Sequence, residues 1–420
     1  MSKRRKKRPS AQQQRQEQAE LRKKFYRKVK QFFTVAEKEH LFKLIPIYYM
    51  NLLYQNRLMA PKVLSEEGVF ISGENTKIMN ETVYAILKDY YFDVPNDNIR
   101  MNMYDYLTIG LTVHYGFVIG EKDFFPGIQQ IRDEIGPFMG KIYNEDFFEN
   151  NLTKVLYLCT VYLSGLDQNH YPVRFEWSDH KHNGGKYYGV FRVGEIISPR
   201  ISVNIDSLNR PVYQVGWVTR KFNPATIPTR ELKLDLYGVQ ENTEIYIQKH
   251  ALIRLKERLD MVNSGDIHLF VVDSCMNPVI REIGHNKYLI EYRMDNFKLG
   301  YLVADLIEAK LIIRTFLLVT QSGAPEEKRL SSITGLTKED VDYLNLCKLS
   351  SFVNSDIHEN SRLLSIFEEA GCEGIINFAQ NIVHRAGKKV HRAEQILKYI
   401  EMEEPLPTFG ARKVGESTHV

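Results

Sequence analysis

The chain has 420 residues, of which 43% are hydrophobic and 11% aromatic. This composition is typical of a folded protein of roughly two to four domains and excludes a small disulfide-stapled scaffold. The net charge of +4 is unevenly distributed, because residues 1–30 hold thirteen Lys and Arg but only Glu17 and Glu20. The remaining chain is mildly acidic, which argues against a nucleic-acid-binding surface spread over the whole body.

Four cysteines lie far apart in the sequence, at Cys159, Cys275, Cys347 and Cys372. They form no C-x-x-C pair, so neither a zinc ribbon nor a disulfide framework is indicated, and we expect buried thiols in a reducing compartment. No apolar run approaches the roughly 20 residues that span a bilayer, and no apolar signal core follows the basic N-terminus. We therefore expect a cytoplasmic protein without a membrane partner, and the sequence indicates no metal or cofactor.

Residues 1–34 form a basic arm with a leading helix. The arm has no apolar periodicity and its charges repel one another, which predicts disorder over residues 1–10. From about Ser10 onward, Gln, Arg, Glu, Ala and Lys favour a helix. The arm is either a solubilising tail or a segment that attracts RNA or DNA phosphates. The predicted nucleic-acid contacts in it are Lys3, Arg4, Arg5, Lys6, Lys7 and Arg8.

Two large segments follow the arm. Residues 35–165 show apolar residues at three- to four-residue spacing, which predicts a helical domain without a recognisable catalytic motif. Residues 166–242 alternate apolar and polar side chains between turns, which predicts antiparallel sheet. One turn contains Asp179, His180 and His182 beside Asn183-Gly184-Gly185, and we interpret it as a polar hairpin turn in preference to a metal site.

The segment "KHALIRLKERLD", residues 249–260, predicts an amphipathic helix. Its leucines fall on one side, while His250, Arg254 and Glu257 fall together on the other. Arg258 follows Arg254 by one turn, and Glu257 can orient the guanidinium groups. A solvated helix face with a surface ion pair is the alternative interpretation.

A second short helix and four strands are predicted next. Ser264-Gly265-Asp266 can cap the helix. The strand-like runs "PVIREI", "NKYLIEYRM", "FKLGYLVADLI" and "AKLIIRTFLLVT" follow, and the connections between them are so short that only hairpin turns can join them. Together with the helix at residues 249–260, they predict a unit of two helices and an antiparallel meander over residues 243–322.

This unit resembles the small RelE-like and BrnT-like toxin domains and related domains of unknown role whose helix carries a His-Ala-Leu-x-Arg-x-x-x-Arg pattern. The matching residues here are His250, Ala251, Leu252, Arg254, Glu257 and Arg258. The resemblance covers residues 243–320, under a quarter of the chain, and the pattern is short. The toxins are small, strongly basic chains, whereas this unit lies within an acidic body and about a hundred residues follow it.

The resemblance implies metal-independent RNA cleavage, in which a ribose 2′-hydroxyl attacks the adjacent phosphate while cations stabilise the transition state. His250 is the candidate base, since an unperturbed histidine has a pKa of about 6.5. Arg254, Arg258, Arg293 and Arg314 are the candidate phosphate contacts. Retention of the fold for binding alone is an equally open alternative.

Residues 323–405 predict a helical C-terminal segment, and residues 406–420 a loose tail. Within the segment, Gly335 separates two helices in a helix-turn-helix-like arrangement near residues 329–350, but the acidic residues Glu339, Asp340 and Asp342 would repel DNA phosphates. A later run is locally basic, with Arg385, Lys388, Lys389 and Arg392. This run is either a helix that binds a partner protein, a second contact to nucleic acid, or a helix face exposed to solvent.

The sequence therefore predicts a multidomain α+β protein with a helical N-terminal half, an antiparallel β region, an embedded RelE-like unit and a helical C-terminal segment. The first functional hypothesis is binding or metal-independent cleavage of RNA. The alternatives are an assembly factor that binds nucleic acid or an acidic protein through its arm, and a DNA-binding regulator acting through residues 329–350.

Overall fold

The structure is a computed structural model, and it describes residues 10–94, 99–119, 123–178, 187–232, 241–383 and 392–401. Within those ranges the chain is an α+β fold, as predicted. No helix there combines the length and the apolar composition needed to cross a membrane. The arm residues Lys3–Arg8, the Asp179–His182 turn, the basic residues Arg385, Lys388 and Lys389, and the 406–420 tail lie outside the described residues.

The helices are α1 (Ala11–Val35), α2 (Glu39–Phe42), α3 (Ile47–Asn56), α4 (Gly73–Asp89), α5 (Met103–Asp105), α6 (Leu111–Val113), α7 (Ile128–Ile142), α8 (Glu145–Leu163), α9 (Lys249–Arg258), α10 (Ser264–Met276), α11 (Pro325–Thr334), α12 (Lys338–Tyr343), α13 (Ser350–Val353), α14 (Ser361–Glu369), α15 (Glu373–Ile382) and α16 (Ala393–Ile400). Two π-helical turns, Tyr106–Gly110 and His114–Val118, flank α6, and 3₁₀ turns occupy Thr229–Leu232 and Ile357–Glu359.

The strands are β1 (Met59–Ser65), β2 (Tyr91–Asp93), β3 (Arg100–Asn102), β4 (Asn169–His170), β5 (Val173–Trp177), β6 (Tyr188–Val193), β7 (Ile196–Ile197), β8 (Arg200–Ile205), β9 (Leu208–Gln214), β10 (Gly216–Val218), β11 (Phe222–Pro224), β12 (Thr226–Pro228), β13 (Asn242–Gln248), β14 (Ile280–Gly284), β15 (Lys287–Met294), β16 (Phe297–Ile307) and β17 (Lys310–Leu318).

The chain folds into two compact units. The first holds the residues up to Ile197 together with Val218–Phe222, and the second holds Ser198–Trp217 together with the residues from Asn223 onward. The predicted helical segment 35–165 belongs to the first unit, and the predicted segments 243–322 and 323–405 belong to the second. The predicted β region 166–242 is divided between them.

The first unit is built around α1 and an aromatic-rich core. Phe25, Val29, Phe32 and Phe33 form the buried stripe of α1, at the three- to four-residue spacing of one helix face. The sequence was expected to be helical up to residue 165, but β1 interrupts it and pairs in parallel with β6, which also pairs antiparallel with β5. Within residues 166–242, the pairs β4–β7, β5–β6 and β8–β9 are antiparallel, as predicted, and the parallel partner β1 comes from the segment predicted to be helical.

The second unit is built on one large sheet, whose order is β14-β15-β16-β17-β13-β9-β8, with β12 also paired to β13. The predicted meander β14–β17 is confirmed, since each of its strands pairs antiparallel with the next. The sequence did not predict that β13 joins β17 in parallel, with Ile245 opposite Leu311 and Ile247 opposite Ile313. This pairing joins the meander to the β8–β9 hairpin in a single sheet.

Helices cover the sheet of the second unit. The amphipathic α9 lies over β17 and β13, α10 lies over β15, and α15 contacts β16. The predicted helix–turn–helix element is present as α11 and α12. Gly335 ends α11 with a φ of 71°, a left-handed conformation that glycine adopts readily, and Thr337 caps α12. The short α12 is thereby positioned beside the end of α9.

Candidate nucleic-acid-binding site

A cavity of about 470 Å³ lies in the second unit between α9, the end of β17 and α12. We call it the α9 cleft. Three of the residues predicted to be catalytic or to contact phosphate line it, namely Arg254, Glu257 and Arg258. The other lining residues are Leu317, Gln321, Ser322, Lys338, Val341, Asp342, Cys347 and Lys348.

The α9 wall of the cleft follows from the pattern of its sequence. Leu252, Leu255 and Leu259 are buried against the sheet, which holds the helix by its apolar face. The side chains of Arg254 and Arg258, one turn apart, therefore project from the other side toward the cavity. The sequence correctly predicted this helix and its orientation.

Arg254 forms an ion pair within the helix. Its Nη1 donates to Oε2 of Glu257 at 2.8 Å, and both side chains are about half exposed, at 43% and 49%. An exposed pair at this spacing contributes only a few tenths of a kcal/mol to stability. Its main consequence is that Glu257 neutralises Arg254 and leaves Arg258 as the stronger cation of this wall.

Arg258 is the most unusual group in the cleft. Its Nη1 is buried and has no hydrogen-bond partner among the described residues. Burial, followed by the nearby charge of Arg254, lowers the pKa of the Arg258 guanidinium, and the carboxylates of Glu257 and Asp342 oppose that effect. The group stays charged at neutral pH. A buried, charged donor without a partner is costly unless an acceptor reaches it.

The opposite wall consists of α12 and the segment after it. Thr337 accepts a hydrogen bond from the Asp340 backbone and caps α12, which carries Lys338 and Asp342. The following segment is held to the end of α9, because the Leu349 backbone N–H donates to the Arg258 carbonyl at 2.8 Å. Ser350 adds two hydrogen bonds to the Asp260 carboxylate. These contacts place Cys347 and Lys348 opposite Arg258.

Cys347 lies in the cleft as a half-buried thiol. Burial, and after it the carboxylate of Asp342, raise the pKa of the thiol. The thiolate is the reactive form of cysteine, so this side chain is protonated and a poor nucleophile at neutral pH.

The charge of the cleft is positive. Arg254, Arg258, Lys338 and Lys348 supply four cations, against the two carboxylates Glu257 and Asp342. Leu317 and Val341 add an apolar part to the wall. The cleft therefore suits a ligand that combines an anionic group with an apolar group.

His250 does not line the cleft, although the sequence grouped it with the arginines. It is exposed in the first turn of α9, about 6 Å along the helix axis from Arg254 and about 12 Å from Arg258. It forms no hydrogen bond or ion pair with the described residues. The structure thus keeps His250 accessible on the same side of α9 but outside the cavity.

Arg314 also lies outside the cleft, and its donors are already occupied. It is the extra residue of a bulge between β16 and β17, where Val303 faces Thr315 and Ala304 faces Ile313. Its guanidinium donates to Asp305 and Asp206, each at 2.7 Å, and to the Gln248 side chain at 3.3 Å. A phosphate would have to compete with two carboxylates for this arginine.

Arg293 likewise has an internal partner. It lies on β15, where its guanidinium binds Oε2 of Glu291 and its backbone N–H donates to Ser274. It does not line the α9 cleft. Of the predicted catalytic and phosphate-binding residues that the structure describes, only Arg254, Glu257 and Arg258 are brought together.

Sequence reasoning missed the second wall. Lys338, Cys347 and Lys348 lie about 80 to 90 residues after α9 and carry no motif. Asp342 was noticed only as a group that would repel DNA. Their approach to Arg258 depends on tertiary hydrogen bonds such as Leu349 to Arg258, for which the sequence has no local signal.

Comparison with known proteins adds no assignment. No protein-family model matches the chain, and neither a curated protein sequence nor a solved structure matches it significantly. Among the described residues, no group of three or more His, Cys, Asp and Glu side chains is arranged to hold a metal ion.

Proposed function

We propose that the α9 cleft binds the phosphate backbone of single-stranded RNA. The observation that carries this proposal is the Arg258 guanidinium, whose buried Nη1 lacks a partner within a cavity that has a surplus of cations. A phosphate oxygen is the acceptor that such a donor binds most strongly, through a charge-assisted hydrogen bond. Lys338 and Lys348 add charge from the opposite wall.

Single-stranded RNA suits the dimensions of the cleft. A volume of about 470 Å³ lies within the range of sites that enclose one small ligand, such as a nucleotide. Unstacked bases of a single strand can enter a cavity of this kind, whereas bases of a duplex cannot. The resemblance of residues 243–320 to RelE-like domains supports the same class of ligand.

Cleavage of the bound RNA is the second candidate, and the position of His250 favours it. The imidazole is exposed one turn before Arg254, so a strand bound at Arg254 and Arg258 can pass it. His250 would then take the 2′-hydroxyl proton as a general base. The 2′-oxygen would form a bond to phosphorus and displace the 5′-oxygen of the next nucleotide, which gives a 2′,3′-cyclic phosphate and a 5′-hydroxyl group that takes its proton from water. Cys347 does not suit this role, because its raised pKa keeps the thiol protonated.

The DNA-regulator hypothesis for residues 329–350 has less support. The second helix of the element, α12, spans six residues, and Asp340 in it is engaged by Thr337 and Tyr399. Lys338, Val341 and Asp342 line the α9 cleft. The helix thus serves as a wall of the cleft and offers little surface for contacts to base edges.

The test is RNA binding by the full chain and its Arg258→Gln variant, measured by fluorescence anisotropy with a labelled 12-nucleotide single strand. Loss of a charge-assisted bond to phosphate is expected to weaken binding about 10- to 100-fold. Lys348→Gln, an exposed change on the opposite wall, is expected to weaken binding about threefold and reports on the cleft even if Arg258→Gln folds poorly.

Arg281→Gln is the matched control, because Arg281 is exposed on β14, and β15 and β16 separate that strand from β17, which lines the cleft. Equal affinities for the Arg281, Arg258 and Lys348 variants would refute the proposal. Gel analysis of the same RNA with wild type and His250→Ala tests cleavage. If the RNA stays intact in the wild-type reaction, the protein binds this RNA but does not cleave it.

A further inference from the structure

The first half of α1 is an exposed helix with one cationic face. Every residue from Ala11 to Lys24 is exposed, and the buried stripe begins only at Phe25. The helix start is stabilised locally, because Ser10 and Gln13 form a reciprocal capping box. About 14 residues, or roughly 21 Å of helix, thus extend with little support from the core of the first unit.

One side of this half carries arginine and glutamine but no carboxylate. At 100° per residue, Gln14, Arg15, Gln18 and Arg22 fall within about one third of the helix circumference, and Glu17, Glu20 and Lys24 fall outside it. A shallow groove of about 600 Å³ runs along the cationic face and contains no carboxylate. We call this surface the α1 face.

Arg22 and Arg57 lie against the Tyr54 ring at the end of the α1 face that adjoins α3. The guanidinium carbons of Arg57 and Arg22 lie 3.8 Å and 5.7 Å from the Tyr54 ring centroid. The Tyr54 hydroxyl donates to Gln18, and Arg22 also donates to Asn51 at 3.1 Å. Residues 41–65, which include α3, contain no Asp or Glu. The α3 side of the groove therefore carries the cation of Arg57 without a carboxylate from this stretch, which suits a polyanion.

We propose that the α1 face binds duplex DNA, with the first half of α1 in the major groove. The major groove of DNA is about 12 Å wide and accepts an α-helix, whereas the major groove of duplex RNA is too narrow. Arg and Gln are the side chains that bind guanine and adenine edges most directly, and Arg15 and Gln18 lie on this face. Arg22 and Arg57 lie where the DNA backbone would pass the first unit.

The proposal is independent of the α9 cleft. In the sequence, the α1 face closely follows the basic run Lys3–Arg8. The six positive charges of that run would attract the phosphates of the same DNA. The test of the proposal uses the full chain and a labelled 16-base-pair duplex across a salt series, with wild type compared with Arg15→Gln.

Arg15 is exposed and forms no hydrogen bond or ion pair with the described residues, so its replacement by the helix-forming Gln should preserve the fold. Duplex affinity is expected to fall at least threefold, and the slope of log affinity against log salt to decrease by about 0.9 if a phosphate contact is lost. Arg27→Gln is the matched control, because Arg27 is exposed on the opposite side of α1 and its loss removes the same charge.

Groove contact is tested with a duplex in which guanine N7 is replaced by carbon. If Arg15 binds a guanine edge, wild type binds this duplex more weakly than the ordinary one, and Arg15→Gln binds both equally. Equal loss of affinity in the Arg15 and Arg27 variants would overturn the proposal. The proposal would also be overturned if wild type bound single-stranded RNA more tightly than the duplex and Arg15→Gln lost that binding. Arg15→Gln is expected to leave the affinity of the α9 cleft for single-stranded RNA unchanged, which separates this site from the cleft.

Discussion

Gly110, the last residue of the first π-helical turn of the first unit, occupies a tightly packed position. A methyl group at this position would lie 2.2 Å from the Tyr143 hydroxyl oxygen and 3.2 Å from the Phe32 ring. Tyr143 cannot easily move away, because it stacks on Tyr106 at 4.6 Å and its hydroxyl donates to the Tyr106 carbonyl at 3.1 Å. The absence of a side chain at Gly110 is therefore a packing requirement.

The substitution Gly110→Ala is expected to destabilise the first unit by about 1–3 kcal/mol, the usual cost of overpacking a core. Gly140→Ala is the matched control, because Gly140 lies inside α7 with no heavy atom within 4 Å of the added methyl group. That change is expected to stabilise the protein by roughly 0.5–1 kcal/mol. Urea denaturation measures both, and the same sign for the two variants would contradict the packing argument.

At the residue scale, the sequence predicted one wall of the candidate site and missed the other. Arg254, Glu257 and Arg258 could be identified because helical periodicity fixes which side chains share a face. Lys338 and Lys348 could not, because their approach to α9 depends on long-range hydrogen bonds. The resemblance to RelE-like domains remains a hypothesis that depends on these same α9 residues.

At the scale of a single element, α12 shows how one carboxylate can anchor a short helix. Oδ2 of Asp340 accepts hydrogen bonds from the backbone N–H and the hydroxyl of Thr337, each at 2.7 Å, and Oδ1 accepts one from Tyr399 of α16 at 2.5 Å. Partial burial of Asp340 opposes ionisation, but the hydrogen bonds from Tyr399 and Thr337 lower the pKa of the carboxyl below its ordinary value of 3.8. The ionised form is thus favoured by folding.

A carboxyl whose pKa is lowered by folding stabilises the protein above the pKa of the unfolded chain and loses that effect as the pH falls. Asp340→Asn is therefore expected to cost about 1 kcal/mol at pH 7, the usual contribution of a capping group. The difference from wild type should shrink toward pH 3. Urea denaturation between pH 7 and pH 3 measures it. Glu339→Gln, a change at the adjacent exposed carboxylate, controls for net charge, and a difference that grows on acidification would contradict the assignment.

Elements with a local signal were predicted well. The start of α1 at Ser10, the helices α9 and α10, and the hairpins of β14–β17 follow from capping residues, periodicity and short joins. The N-cap of α10 is Asn263, one residue before the predicted cap at Ser264. The strand β1 was missed, because seven residues that include Pro61 give a weak alternation within a helical region. The β13–β17 pair was missed, because parallel pairing depends on partners distant in sequence.

At the scale of the whole molecule, each unit has its own buried core. In the first, one cluster extends from Phe25 to Val193. In the second, the sheet is joined to α11 through Glu326, which is only 2% exposed and accepts hydrogen bonds from Lys298 at 2.7 Å and Tyr301 at 2.8 Å. The two cores do not follow the six segments predicted from composition and periodicity. They follow the two units, because each core is formed by contacts between segments that are distant in sequence.

Separate cores predict separate responses to mutation. Glu326→Ala leaves the Lys298 ammonium without this partner and is expected to accelerate amide hydrogen exchange in β15, β16 and β17. Gly110→Ala is expected to accelerate exchange in α7 and α8 instead. Hydrogen exchange followed by mass spectrometry of peptides resolves the two regions. Equal acceleration of both regions by either variant would show that the chain opens as a single cooperative unit.

The parallel pairing of β13 with β17 has a consequence for synthesis on the ribosome. β9, on one side of β13, precedes it in the chain, but β17, on the other side, begins about 60 residues after β13 ends. At about 5–20 residues per second, the edge of β13 that pairs with β17 stays unpaired for roughly 3–12 s. An unpaired apolar strand edge is a template for aggregation. We therefore expect nascent chains that stall between Gln248 and Lys310 to be the form of this protein that most requires a chaperone.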